Sequence, residues 1–395
     1  MKKLMILGAS YSQLPLYEAA RKLGAATVAA STPGDWPGFV VADESVYADI
    51  TNPEAILKAA QEKGIDGIAT CCLDAGVRAL GYTCEKMGLI GPSARAADIS
   101  NDKFKMKEAF MAGGVQCARH ICIHSLEELE EALEKLEFPV VLKAVDLMGS
   151  RGIFRCNTRE ETFFYYNKTM EATRKDYCLV EEFIEGQVLG CEAMIRDGKL
   201  LYCLPNNIEA FQSYVPTPIG HSVPYRKQEE LGAEVRHQVE LAIKAVGLDN
   251  CPVNCDLVEK DGKIYVIEIT GRAGGTCLPE MVSIYYGINY YEAIVRLAFG
   301  MDVEEMFRGK TSGVANLSRT LLSEKDGVVK AIHNENEPAE DIVDLSFNIA
   351  PGEEVHHYTN GRDRLGQVIL RGESLESCEK RLQEILSKIN IEFTV

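Results

Sequence analysis

No apolar run in this sequence approaches the ~20 residues that a membrane-spanning helix needs, so no membrane partner is expected. The nearest thing to a leader is Met1–Ser10, where two lysines precede Leu4–Leu7. That run is too short for the core of a secretion signal and ends at Gly8, so it reads as a first β-strand. Basic residues are scarce: 42 Lys and Arg stand against 59 Asp and Glu, a net charge of −17. Nucleic acid and anionic membrane surfaces are therefore poor partners, while a local basic pocket for a small phosphate-bearing ligand stays open. Cysteine is plentiful, at thirteen residues, yet no C-x-x-C pair occurs. Cys251 and Cys255 come nearest to a metal spacing and lack a second pair. The expectation is reduced thiols packed as small apolar side chains in a cytoplasmic protein.

Three nucleotide motifs are missing as well. Gly8 is not followed by the further glycines of a dinucleotide fingerprint. Gly309-Lys310-Thr311 looks like the tail of a P-loop, but Glu304 occupies the place of its first glycine. No kinase catalytic-loop pattern occurs. Conventional Rossmann, P-loop and kinase readings all lose ground.

What remains is a globular composition, 46% hydrophobic and 26% charged, in 395 residues. That is enough for two or three domains with real cores. Residues 1–95 read as a βαβ series: strand Leu4–Leu7, helix Leu14–Leu23, strand Ala26–Ala30, a helix opened by Thr51-Asn52-Pro53-Glu54, and strand Ile65–Thr70. A parallel sheet with covering helices follows. Residues 96–310 change character. A helix over Asp102–Met111 precedes strand-like Phe138–Lys143, a glycine turn at Asp146–Gly152 and strand-like Tyr177–Phe183. Capping boxes at Ser125 and Thr158 start the intervening helices. From Cys191 to Thr270 the pattern is antiparallel strands, with Asp261-Gly262 a hairpin signal. Residues 311–395 read as short strands, Gly327–His333 and Val368–Leu370, closed by an amphipathic helix over Leu375–Ile389.

Four segments could build a nucleotide site. The first is Asn101-Asp102-Lys103. The second is Val140–Lys143 with the Asp146–Gly152 loop: a lysine ending a buried strand wants an anion, and glycine backbone can approach phosphate oxygens. The third, Leu179–Gly186, is an apolar strand ending in acids, suited either to a hinge whose backbone reads an adenine edge or to a solvated strand end. The fourth is the Asp256…Glu268 hairpin. A two-residue Asp261-Gly262 turn would put these acids on opposite faces; a three-residue Lys260–Gly262 loop would put them on one face. Carboxylates sharing a face repel unless a cation sits between them, and Mg²⁺ accepts such hard oxygen ligands. Thr270-Gly271-Arg272-Ala273-Gly274-Gly275 follows at once, an arginine beside flexible backbone.

In this order the segments resemble the ATP-grasp superfamily, to which biotin carboxylase, carbamoyl-phosphate synthetase, glycinamide ribonucleotide synthetase and bacterial L-amino acid ligases belong. The resemblance covers residues 1–310, and its glycine loop and R-x-G-G ending look closest to the amino acid ligases. It implies an α/β fold with a parallel N-terminal domain (1–95). A two-lobed α+β ATP-binding region (96–310, lobes meeting near 184/185) and a small C-terminal α+β domain (311–395) would follow. It implies ATP and Mg²⁺, with Mn²⁺ able to replace it, and small-molecule carboxylate and amine partners; a homodimer is compatible. Lys103 and Lys143 match the phosphate-binding lysines, and Gly149, Ser150 and Gly152 the loop over them. Glu181, Glu182 and Ile184 match the adenine hinge, where backbone groups at the last two read the base. Asp256 and Glu268 match the metal acids, with Thr270 where the family places asparagine and Asn254 on the same strand face. Arg272 matches the arginine that steadies the acyl-phosphate or the carboxylate, acting with Lys143 in catalysis. Val188 stands where many members carry a ribose-binding glutamate, a role open to either Glu185 or Glu192. His221 falls in a loop that can line the substrate pocket or lie at the surface. The implied activity is ADP-forming carboxylate–amine ligation through an acyl-phosphate, on amino acids or a similar small acid. The alternatives are a purine-pathway ligase, with Gly8–Gln13 holding a substrate phosphate, and a non-catalytic nucleotide-binding regulator.

Overall fold

Leu4–Leu7 is an unbroken apolar run, as a strand covered on both faces requires. In the computed structural model it belongs to β1 (Lys3–Leu7), and all four residues are buried. The structure describes residues 1–147, 149–212, 215–309, 313–359 and 363–394; Met148 of the Asp146–Gly152 turn, and Lys310 and Thr311 named above, lie outside them. With β2 (Ala26–Ser31), β3 (Glu44–Tyr47) and β4 (Gly67–Ala69), β1 forms a parallel sheet in the order β3-β2-β1-β4. Asn52 caps the helix Pro53–Lys63 by accepting the Ala55 N–H. At the carboxyl end of β4, Cys71 bridges in parallel to Ala273, and the Cys72 N–H donates to the Ala273 carbonyl at 3.0 Å. Two residues far apart in sequence thus carry the edge of the first sheet into the Arg272 segment.

A second, antiparallel sheet follows from β5 (His120–Ile123), β6 (Val140–Lys143), β7 (Ile153–Cys156) and β8 (Cys178–Glu182), in the order β5-β8-β6-β7. The helices Leu126–Leu133 and Arg159–Ala172 cover it, and both expected caps form: Ser125 accepts from the Glu128 N–H, Thr158 from the Glu161 N–H.

The largest sheet has eight strands. Its first part is β9 (Gln187–Arg196), β10 (Lys199–Gln212), β11 (Pro216–Val223), β12 (Cys251–Lys260) and β13 (Lys263–Thr270). The reading of Cys191–Thr270 as strands alone is corrected here, because the helix Gln228–Val246 lies between β11 and β12. Its Val235, Val239, Ala242, Ile243 and Val246 recur at helical spacing and pack on Cys191, Val253, Cys255 and Leu257 of the sheet. The sheet continues past residue 311, since β14 (Ala315–Leu322) pairs with β11.

The chain then runs through β15 (Gly327–Asn334), β16 (Ile342–Phe347), β17 (Glu354–Val355), β18 (Arg364–Gly372) and β19 (Ile389–Thr394). The large sheet has the order β13-β12-β9-β10-β11-β14-β18-β16, and β17-β15-β19 form a three-stranded sheet beside it. The C-terminal helix ends at Leu386 rather than Ile389, which starts β19. Among the described residues no helix is long and apolar enough to cross a membrane. All thirteen cysteines are free.

Candidate functional site

The second sheet and the large sheet enclose a cavity of about 330 Å³. Lys103, Lys143, Gly149, Ser150 and Glu181 line it, as do Glu182, Ile184, Asp256, Glu268 and Arg272. Gly152, Glu185 and Thr270 do not.

The acid pair rests on an irregularity. The turn between β12 and β13 has two residues, Asp261 and Gly262, both at positive φ, with Lys260 opposite Lys263. Unbroken alternation would then turn Glu268 away from Asp256. A register shift after Leu257, which pairs with Val266, leaves Ile267 as an extra residue and sets Asp256 directly opposite Glu268. Such a β-bulge moves all later side chains to the other face. The two acids therefore share a face, by a route other than the three-residue loop. Asn254 and Thr270 are the next facing pair on that side. Burial pushes the Asp256 carboxyl up to about 6, and the charge of Glu268 adds to this. Thr270 Oγ1 is buried with no hydrogen-bond partner among the described residues. Two carboxylates and orphaned hard oxygen suit Mg²⁺, which binds through one or two carboxylates and keeps its other positions for water and phosphate. Among the described residues no three His, Cys, Asp or Glu side chains form a fuller cage.

Opposite the acids stand the lysines. Lys103 opens the helix Lys103–Ala112, whose N-cap Asp102 accepts from the Phe104 and Lys105 N–H groups. Its Nζ donates to the Leu147 carbonyl at 2.7 Å and lies 3.3 Å from Glu268 Oε1. Lys143, at the end of β6, pairs with one oxygen of Glu181, and Lys107 sits 3.3 Å from the other. Burial would raise the Glu181 carboxyl, but Lys107 and Lys143 outweigh it and hold it at about 2. Burial also draws the Lys143 ammonium downward, against the pull of Glu181.

Gly149 and Ser150 both adopt positive φ and line the cavity, where their backbone can come close to a ligand. Gly152 closes this loop from behind: its carbonyl accepts from Ala144 at 2.9 Å, and a Cβ would meet Ala144 and Ala172 within 3 Å. At the hinge, Glu182 turns its carboxylate outward to Arg119 and the Glu137 N–H. The Phe183 N–H is taken by the Pro139 carbonyl, whereas that of Ile184 has no partner among the described residues. Glu185 faces out, accepting from Arg155 at 2.7 Å. Val188 lines the cavity, and neither Glu185 nor Glu192 does.

Arg272 is largely engaged. Its Nε donates to Asp74 Oδ1 at 2.6 Å, and Nη1 to Asn254 Oδ1 at 3.1 Å and to the Ala273 carbonyl at 3.2 Å. Asp74 also pairs with Nη2, so the fork expected to grip a substrate is mostly closed on this chain's own acid. Below it, the fully buried Glu192 accepts from Asn254 at 2.8 Å and from the Gly274 N–H at 3.2 Å. Burial lifts the Glu192 carboxyl to about 8 despite that amide. His221 lines the cavity with Nδ1 2.9 Å from Asn206 Oδ1, and burial lowers it to about 4, so it is neutral at pH 7.

Sequence reasoning missed Lys107, although its place four residues after Lys103 puts both on one helix face. It also missed Tyr358, from the loop after β17, and Arg364, at the start of β18, cavity residues for which no local pattern exists.

Over residues 100–276 the chain matches the family model of the ATP-grasp domain, and over 319–394 that of the L-amino acid ligase C-terminal domain 2. It is 40% identical to phosphoribosylglycinamide synthetase from Anaerococcus prevotii across 100% of both chains, with a TM-score of 0.85. The L-amino acid ligase from Bacillus licheniformis shares the fold at 20% identity, covering 100% of this chain and 99% of its own, with a TM-score of 0.86. Alanine–anticapsin ligase of Bacillus subtilis (strain 168) is 25% identical over 276 residues, 64% of this chain and 58% of that protein.

Proposed function

This chain belongs to the ATP-grasp family of ATP-dependent carboxylate–amine ligases, and on that premise we propose that it joins a small amino acid to an amine through an acyl-phosphate. One observation carries the site assignment: the bulged β12–β13 hairpin sets Asp256 and Glu268 together on a cavity that Lys103 and Lys143 also line. ATP's adenine would lie at the hinge, against the Ile184 N–H, which has no partner among the described residues. Lys103 and Lys143 would neutralise charge on the phosphates, with the Gly149-Ser150 backbone beside them. Asp256 and Glu268, with Thr270 or Asn254, would hold Mg²⁺, replaceable by Mn²⁺, which when bound supplies charge neutralisation at the phosphates. Arg272, fixed by Asp74 and Asn254, offers its remaining N–H to the carboxylate that is phosphorylated. The incoming amine must lose a proton, and neutral His221, with Nδ1–H given to Asn206, keeps a lone pair on Nε2 to accept it.

A purine-pathway reading draws on the 40% identity to phosphoribosylglycinamide synthetase. The N-terminal loop argues against it. Gln13 Oε1 accepts from both the Ser10 N–H at 3.1 Å and the Ser10 hydroxyl at 2.7 Å, so the loop is closed by its own side chain rather than left for a substrate phosphate. ADP release separates the readings. Pairs of amino acids should support it, and phosphoribosylamine with glycine should not. The reverse result would move the protein to the purine pathway, and silence in every arm would leave a nucleotide-binding regulator.

A further inference from the structure

The helix Lys103–Ala112 sends two lysines, one turn apart, into the interior. Lys103 reaches the acid hairpin. Lys107 is 1% exposed in its side chain and does not line the cavity; its Nζ lies 3.3 Å from Glu181 Oε2 and 3.4 Å from the Val266 carbonyl. Lys143 holds the other oxygen of the same carboxylate. Three buried charges therefore meet, two positive and one negative, and among the described residues no second acid forms an ion pair with either lysine. An uncompensated buried charge is expensive, and a methionine would fill the same space without that penalty. A neutral pair, Glu181 with Lys143 alone, would be the cheaper design.

We propose that Lys107 is a positioning residue for the nucleotide. By occupying one oxygen of Glu181 it leaves the cluster with one positive charge over, which Lys143 presents to the phosphates. This rests on the ligase reading above. Without Lys107, Glu181 and Lys143 neutralise one another, and Lys143 is drawn towards the carboxylate instead of the ligand. The polyphosphate of the nucleotide would balance that positive charge.

The test compares ADP with adenosine, both in Mg²⁺, by calorimetry or competition on the wild type, Lys107→Met, Lys107→Gln and Lys107→Arg. Lys107→Met is expected to weaken ADP about tenfold or more, the scale of one lost charge contact, while adenosine changes less than about threefold. The KM for ATP should rise with kcat nearly constant, and Lys107→Arg should recover most of the loss. If Lys107→Met fails to fold, Lys107→Gln, one atom shorter but uncharged and still polar, should show the same selective loss. Equal weakening of ADP and adenosine would make Lys107 a packing residue and overturn the inference, as would unchanged ADP affinity. Wild-type protein that binds no adenine nucleotide would instead overturn the ligase reading itself, and this inference with it.

Discussion

Asp256 and Glu268 face each other across β12 and β13 only because Ile267 is an extra residue in its strand. Removing Ile267 would close the bulge and leave Glu268 opposite Asp256 and Thr270 opposite Asn254 in an unbroken ladder, still on one face. Deletion of Ile267 is therefore expected to keep the Mg²⁺-dependent part of thermal stabilisation by ATP. Glu268→Gln should abolish it while keeping the fold. Undiminished Mg²⁺ dependence in Glu268→Gln would remove the metal from this hairpin.

The hinge makes a second prediction. Adenine would accept at N1 from the Ile184 N–H and donate its amino group to the Glu182 carbonyl, whereas guanine presents a carbonyl oxygen there. ATP with Mg²⁺ should raise the melting temperature, because a ligand that binds only the folded state stabilises it. GTP should raise it distinctly less. Equal shifts would place the base elsewhere.

Glu181 links binding to stability. Its folded carboxyl lies at about 2 against an ordinary 4.5, so folding favours its ionised form. The contribution is complete above about pH 4.5 and is lost as pH falls from there towards 2. Glu181→Gln leaves two buried lysines without a counter-charge and should cost about 3–5 kcal/mol at neutral pH. Denaturant titrations of the wild type and the variant should converge as pH drops through that window. A gap independent of pH would show that shape, not charge, is what Glu181 contributes.

How much of this could be read beforehand varies from element to element. The apolar runs of β1 and β4 and the caps at Asn52, Ser125 and Thr158 were plain, because period and capping are local properties. The Asp261-Gly262 turn was equally plain. The bulge was not: Val266 and Ile267 are both apolar, and nothing in their order shows which one breaks step. The helix Gln228–Val246 carries its signal in the spacing of Val235, Val239, Ala242 and Val246, with Gly247 as a stop, but the strand patterns on both sides mask it. Asp74 with Arg272, and Arg364 at the cavity, depend on contacts between distant segments that no local window contains.

Arg272 separates a ligase from a mere nucleotide binder. A guanidinium has five N–H donors in a fixed plane, and a lysine cannot reproduce that fork. Here Nε, both Nη1 hydrogens and one of the Nη2 group are directed at Asp74, Asn254 and Ala273, which leaves about one for a ligand. That leftover donor is held rigidly at the cavity wall, and a pre-aimed donor contributes most where charge develops during reaction. Arg272→Lys should leave ATP affinity almost unchanged while lowering turnover about 100-fold or more. Asp74→Asn, which loosens the arginine without touching the cavity, should lower kcat by a smaller factor and leave the KM for ATP alone. A tie that merely joined the first sheet to the Ala273 segment would behave otherwise: both variants would lower the melting temperature and keep normal ADP release on the true substrate pair. That result would make Arg272 structural and place the carboxylate against Arg364 instead.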